Sequence, residues 1–454
     1  MIVLLAAALL VLPVPAAEPA LDPLEPPALY AQTAVLMDAD TGQVLWGKEM
    51  HRRMYPASLT KMVTLLLAME QGNPADLVTV TAEAVDTMPA VATHIALTYD
   101  EQLTLEQLTY AMMVESANDA ASAIAVHLSG SVRAFAEQMN QKAQALGAGG
   151  SHFTNPHGLP EPDHYTTAYD MALFTRAAYA YPQFRALAGC KLYEIPPTNK
   201  QEGTRRLLNK QYMFNGQDPY PGAFAGKTGW TEEAGHTLIT VAQRNGITLI
   251  CVVMKPSGVA DGEFVDSTAL LDYGFEQFRR VTLSPEQVPA VALSEGILKP
   301  AGEMTVLLPK AVQPEDLQLE VHMDSQDGTG YVTAKAPAWA GAYMTDLELG
   351  RFPTTLEPAP VVIDAAAQRR ERWAARLDAF AEKVLAALPY VAIVIAVPLL
   401  LYWIIHLLAQ LMQDVKERQR KHKEAVNAKR MEAARRRLAV KQMQQRRAAE
   451  KAKQ

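Results

Sequence analysis

The sequence predicts an α/β domain of about 250 residues, followed by a small all-β domain, a transmembrane helix and a basic helical tail. Three observations carry this reading. Strand-like runs at both ends bracket a helix-rich middle between Thr33 and Met254. After Arg280 the composition shifts to short β-like runs and turns. From Val384 to Gln413 there is no Asp, Glu, Lys or Arg.

Residues 1–17 pair an apolar run, Met1 to Leu12, with the small residues of Pro13-Val14-Pro15-Ala16-Ala17. That pattern is a secretory signal peptide without the usual basic start. Residues 18–30, rich in Pro and acid, read as a linker. A catalytic domain is expected over 31–279. Thr33 to Asp38 and Val44 to Trp46 form a hairpin across the turn Asp40-Thr41-Gly42-Gln43. Ser58 opens an apolar helix to Met69, which Gly72-Asn73-Pro74 stops. Leu103–Met113 and Asn118–Leu128 are further helices. Thr237–Val241 and Thr248–Met254 are strands split by Arg244-Asn245-Gly246.

Residues 280–360 read as the all-β domain, with strands at Met304–Leu308 and Gln318–Met323. A juxtamembrane helix over 361–383 carries Trp373, Leu377 and Phe380, and leads at helical spacing into Val384. Residues 384–412 are long and apolar enough to cross a bilayer, and Pro389 and Pro398 are tolerable there. The tail, 413–454, is basic: Asp414 to Gln454 holds 15 Lys/Arg against 5 Asp/Glu. The rest of the chain has 27 basic and 44 acidic residues, within an overall charge of −7. A basic flank belongs in the cytoplasm, which puts the body outside the cell membrane, as a signal peptide also requires. The tail suits anionic lipid and carries no nucleic-acid recognition motif. Two cysteines, Cys190 and Cys251, are too few for a disulfide framework or a metal cluster.

Three short motifs carry chemistry. In Ser58-Leu59-Thr60-Lys61, residues three apart on a helix are neighbours, so the Lys61 amine lies beside the Ser58 hydroxyl. A serine needs an adjacent base to become a nucleophile, and a lysine serves once burial and nearby charge lower its pKa. The bland alternative is a helix-capping serine with a surface lysine. In Ser116-Ala117-Asn118 the hydroxyl can relay a proton and the amide can hold both substrate and Lys61; the bland alternative is an ordinary helix cap. In Lys227-Thr228-Gly229 the amine adds positive charge, Thr228 can bond a substrate carboxylate, and Gly229 lets substrate approach the strand. Gly222 to Thr228 looks like a phosphate loop, but has three residues between its glycines instead of four, so an NTPase is rejected.

In order, these motifs resemble the Ser-x-x-Lys, Ser-x-Asn and Lys-Thr-Gly set of penicillin-binding proteins and class A β-lactamases. Pro56–Lys61, Asn155–Pro160, His164–Asp170 and Gly226–Thr231 are similar to the low-molecular-weight D-alanyl-D-alanine carboxypeptidases, over about residues 30 to 278. The resemblance implies a β-lactamase/transpeptidase-like catalytic domain and no cofactor. It implies removal of the terminal D-alanine from peptidoglycan stem pentapeptides, with β-lactams as inhibitors. It makes Ser58 the nucleophile, Lys61 the base and Ser116 the proton relay. Asn118, Lys227, Thr228, Gly229 and Trp230 then bind substrate, with the Ser58 and Trp230 N–H groups as oxyanion hole. Some relatives add an arginine for the carboxylate, for which Arg205 and Arg206 are the candidates. Rival readings are a β-lactamase with Glu161 activating water, an endopeptidase, and a non-catalytic wall-binding scaffold. His157 and His164 read as parts of a structural loop and not as metal ligands.

Overall fold

The computed structural model describes residues 25–358, except 87–88, 90, 217–218, 288–290, 293–295 and 324–329, and the helical residues 370, 372–379, 381, 400–418 and 420. The expected signal peptide, most of the linker, most of the tail and residues 384–399 lie outside the described residues.

Chain order begins with strands β1 (Ala31–Asp38) and β2 (Val44–Lys48). Helix α1 (Thr60–Gln71), β3 (Leu77–Thr79), α2 (Ala82–Val85) and β4 (Gln102–Thr104) follow. The helical middle is α3 (Leu105–Val114), α4 (Asn118–Ser129), α5 (Val132–Ala145), α6 (Ala168–Tyr179) and α7 (Phe184–Ala188). Then come β5 (Leu192–Ile195), β6 (Arg205–Leu208), α8 (Tyr212–Asn215), β7 (Ala223–Thr231), β8 (Gly235–Arg244), β9 (Ile247–Pro256) and α9 (Gly262–Gln277).

The central sheet has the antiparallel order β2-β1-β9-β8-β7, so strands from both ends of the domain meet in its middle and β7 forms an edge. Its two hairpins have plain causes. Asn245 and Gly246 both take positive φ between the paired Arg244 and Ile247, the two-residue turn that matches strand twist. Asp38 accepts the Thr41 N–H and hydroxyl at 3.0 and 2.6 Å, which shapes the β1–β2 turn.

Alternation along the strands divides the sheet between two cores. Val35, Met37, Ile250, Val252 and Met254 face the helical middle, where α1 and α4 lie buried. Ala34, Leu36, Leu249, Cys251 and Val253 face α9. A sheet covered on both faces explains why β9 carries an unbroken apolar run from Leu249 to Met254. Cys251 is buried and free, and Cys190 is free and half-buried.

The chain continues through β10 (Phe278–Leu283), β11 (Val291–Ala292), β12 (Gly296–Pro300), β13 (Met304–Pro309), β14 (Gln318–Met323), β15 (Gly330–Lys335) and β16 (Glu348–Pro358). β10 pairs with β13, and the others form a sheet in the order β11-β12-β16-β15-β14. These strands share the outer core: Leu283, Val306, Leu308 and Leu349 join Leu36, Leu45 and Leu271. Gln43 clamps the joint, donating to the Leu307 carbonyl at 2.6 Å and accepting its N–H at 2.8 Å.

Residues 360–454 make a second compact unit. Within it, residues 372–379 and 400–418 are helical, and Trp373, Leu401, Trp403 and Ile405 are exposed. Among the described residues no helix is long and apolar enough to cross a membrane. The span expected over 384–412 is therefore not supported, because its first 16 residues, 384–399, are not described and only the end is seen as helix.

Gln43→Leu should leave both Leu307 groups buried and unpaired, which costs about 1–3 kcal/mol each. Urea unfolding should show a lowered midpoint with an unchanged slope.

Candidate active site

Residues 57–59 form a single 3-10 turn before α1, so the helix starts two residues later than the sequence pattern suggests. α1 is apolar on nearly all sides and lies inside the core, with Met62, Val63, Leu65 and Leu66 at 0% exposure. Between Pro56 and Ala68 only Ser58 is partly exposed. Three residues on, Lys61 is fully buried with its Nζ 2.9 Å from Ser58 Oγ. The bland alternative falls: no side chain caps this helix, and the lysine is inside.

Two further acceptors hold the amine. Asn118 Oδ1 lies at 2.5 Å and the His157 carbonyl at 2.8 Å. Burial holds the Lys61 pKa well below that of an ordinary lysine, and the Lys227 charge lowers it further, while Asp119 pulls the other way. Both acceptors are fixed in place. Asn118 opens α4, and its N–H donates to the Thr93 carbonyl at 2.9 Å. The buried Asp119 carboxylate receives the N–H groups of Ile95, Leu97 and Ala120, strapping the preceding loop to the helix start. Ser116 stands two residues before Asn118, half-buried, with φ +66°. It is not a cap; Ala117 takes that position and offers no side chain for it.

The other wall is the edge strand β7. Lys227 is buried, its Nζ donates to the Thr228 carbonyl at 2.7 Å, and its pKa is pushed down to about 7, first by burial and then by Lys210, with Glu115 opposing. Gly229 is demanded by packing as well as by any substrate: a Cβ there would stand 2.9 Å from Ser58 N and 2.5 Å from Thr237 Oγ1. Thr237 in turn donates to the Pro56 carbonyl at 3.2 Å, tying the serine turn to the sheet. Thr228 is half-buried. Trp230 is 63% exposed, opposite His236, so its share in the site falls to its backbone. A strand, β8, and not a helix follows β7, which disposes of the phosphate-loop resemblance.

The sequence profile of the D-alanyl-D-alanine carboxypeptidases, peptidase family S11, matches residues 22–258. The chain belongs to this family. It is 30% identical over 342 residues to D-alanyl-D-alanine carboxypeptidase DacF of Bacillus subtilis, covering 73% of this chain and 84% of that one. It is 34% identical over 262 residues to DacA of Haemophilus influenzae, covering 56% of this chain and 64% of the other. The structure of penicillin binding protein 5 from Haemophilus influenzae superposes with a TM-score of 0.61 at 26% identity, over 74% of this chain and all of the other. The protein is thus a serine-type D-alanyl-D-alanine carboxypeptidase with a transpeptidase-like α/β catalytic domain.

Several residues that build this carboxypeptidase site act through contacts that the sequence stretches holding them do not reveal. In the loop from Asn155 to Leu159, Asn155 Oδ1 accepts the Gly158 N–H at 2.7 Å and its amide donates to the Leu159 carbonyl at 2.9 Å. That knot aims the His157 carbonyl at Lys61. The family-like stretch Asn155–Pro160 signalled the loop, but nothing in it showed that its target is Lys61. His164 is buried; its Nδ1 accepts the Thr154 N–H at 3.1 Å, which assigns the proton to Nε2, 2.9 Å from Thr60 Oγ1. Burial pushes its pKa down to about 3, so the ring stays neutral. Both candidates for an arginine at the substrate carboxylate are engaged elsewhere. Arg205 makes a two-pronged pair with the buried Glu101, at 2.8 and 3.1 Å, and Arg206 lies 3.9 Å from Glu194.

Between about pH 7 and 10.5 the unfolded chain keeps the Lys227 proton and the folded chain does not. Stability contributed by this group therefore rises with pH across that window. Lys227→Met should gain most over wild type at and below pH 7 and lose that advantage towards pH 10, as read from thermal unfolding midpoints at several pH values.

Proposed function

We propose that this carboxypeptidase releases the terminal D-alanine of peptidoglycan stem pentapeptides through an acyl-enzyme on Ser58, and that penicillins acylate the same hydroxyl. The carrying observation is the set of three contacts around Lys61 Nζ. Asn118 Oδ1 and the His157 carbonyl can only accept, so a neutral amine gives both its hydrogens to them. Its lone pair is then left for Ser58, whose hydroxyl can reverse roles and donate across the same 2.9 Å. A neutral Lys61 is in this way already arranged as the base for Ser58.

In this reading Ser58 Oγ attacks the carbonyl between the two D-alanines while its proton passes to Lys61. The tetrahedral oxyanion is met by the Ser58 and Trp230 N–H groups, an arrangement supported by the approach of Gly229 to Ser58 N. The proton reaches the leaving amine through Ser116, D-alanine departs, and water then hydrolyses the ester. Asn118 and the open edge of β7 bind the peptide backbone, as an added strand would be bound. Lys227 and Thr228 attract the substrate carboxylate. The chemistry takes place outside the cell, with the chain held at the membrane by its C-terminal apolar segment. The support for that address lies in the sequence, in the uncharged run of 384–413 and the basic tail behind it. Against a β-lactamase, Glu161 is exposed in the turn before His164.

Ser58→Ala should cut D-alanine release from a diacetylated Lys-D-Ala-D-Ala peptide by about 10³-fold or more, and should retain no labelled penicillin. Release at the wild-type rate would remove Ser58 from the mechanism.

A further inference from the structure

The role inferred for Arg205 rests on Lys61 being the base for Ser58. Lys61 depends on Asn118, and Asn118 depends on the strap from Thr93 to Leu97. The Thr93 carbonyl takes the Asn118 N–H, and the Asp119 carboxylate takes those of Ile95 and Leu97. Between these two, Ala96 sits at φ +56°, a left-handed position that persists only where its surroundings enforce it. Asp119 holds the strap from inside. Arg205 holds it from the other side, donating to the Ala96 carbonyl at 3.3 Å.

The guanidinium is itself locked in place. The Glu101 carboxylate is fully buried and accepts Arg205 at 2.8 and 3.1 Å, the Thr198 hydroxyl at 2.6 Å and the Thr98 N–H at 3.1 Å. Burial disfavours its charge, but these bonds outweigh burial and hold its pKa below that of an ordinary glutamate. Asn199 adds a second latch. It accepts the Gln102 N–H and donates to the Asp100 carbonyl, both at 2.8 Å. Thr198, Asn199 and Arg205 all belong to the β5–β6 hairpin, in which Ile195 pairs with Arg205 and Leu192 with Leu208. Its Tyr193 stacks on Tyr110 of α3, with ring centroids 4.1 Å apart. At its other end the Leu208 N–H donates to Glu115, the residue before Ser116, at 3.4 Å. The hairpin thus grips the chain on both sides of α3, at Glu101 before it and at Glu115 after it.

We infer that Arg205 is a positioning residue for acylation: held by Glu101, it fixes the Ala96 carbonyl, and through the 93–97 strap it sets Asn118 against Lys61. A slack strap would let Asn118 drift and water reach the amine. Lys61 is faced by Lys227 from β7, by Asp119 from α4, and by His157 and His164 from the loop between α5 and α6. These groups are the same in every variant below, so a displaced acid limb reports their arrangement.

Arg205→Met should lower the rate constant for penicillin acylation of Ser58 at neutral pH about 10- to 100-fold, with a smaller change in penicillin affinity. The acid limb of its pH profile should move up by about one unit, because a wetter Lys61 holds its proton more tightly. Arg205→Lys, which keeps the charge, should recover part of the rate. Arg205→Met also leaves Glu101 buried without its partner, which destabilises the fold. Combining it with Glu101→Gln removes both charges, and should recover most of the thermal unfolding midpoint while the acid limb stays displaced. Gln43→Leu should do the reverse, with a lowered midpoint and the wild-type limb. A double variant that regains the wild-type acylation profile along with its stability would overturn the assignment. So would Arg205→Met acylating at the wild-type rate. A wild-type acylation rate independent of pH would instead overturn Lys61 as the base, and the rates of Arg205→Met and Gln43→Leu, compared at neutral pH, would still decide the role of Arg205.

Discussion

A lysine amine at 0% exposure is the constraint on which this site depends. An ammonium removed from water without a paired anion is costly, so the group sheds its proton more easily and demands acceptors for the hydrogens it keeps. α1 creates that burial because its sequence is apolar on nearly every side, so the helix must thread the core. Lys61 is carried inside with it. The same helix start leaves Ser58 at the surface, three residues away. One short segment therefore sets a dry base against a wet nucleophile.

Holding the amine required unusual backbone around it. Ala57 and Ser116 both occupy the left-handed region, at +49° and +66°, one beside the nucleophile and the other beside the amide that holds the base. Such positions cost about 1–3 kcal/mol each and persist only where their surroundings over-determine them. Here the surroundings do so. Gly158, at φ +90°, lies so close that a Cβ would come within 1.8 Å of the Ala57 carbonyl. Gly229 presses from the sheet side. The serine turn is clamped between two glycines from distant parts of the chain, and Thr237 closes the clamp on Pro56.

Much of this was legible in the sequence where the signal was local. The Asn245-Gly246 turn, the apolar α1, the strand β9 and the three motifs are written in consecutive residues. The remainder depends on contacts between distant residues. Nothing near Asp119 announces that it will collect N–H groups from Ile95 and Leu97. The His157 contribution is a main-chain carbonyl, which no residue type encodes. Gly229 was read as room for substrate, whereas its neighbour in the fold is Ser58 itself. Arg205 looked available because its partner, Glu101, lies 104 residues earlier and buried. Gln43 passed as a turn residue, yet its amide joins two parts of the chain that are 264 residues apart.

The two-sided burial of the central sheet also bears on how the protein can be divided. The outer face of β1, β8 and β9 is covered partly by α9 and partly by side chains that arrive after Leu283. A chain shortened just past α9 would keep every residue of the site and still present Leu36, Leu45 and their neighbours with less cover than they were selected for. Exposed apolar surface of that kind favours self-association. For preparing a working fragment, then, solubility and catalysis place their boundaries differently: chemistry is complete by β9, whereas a clean surface needs the strands through β16.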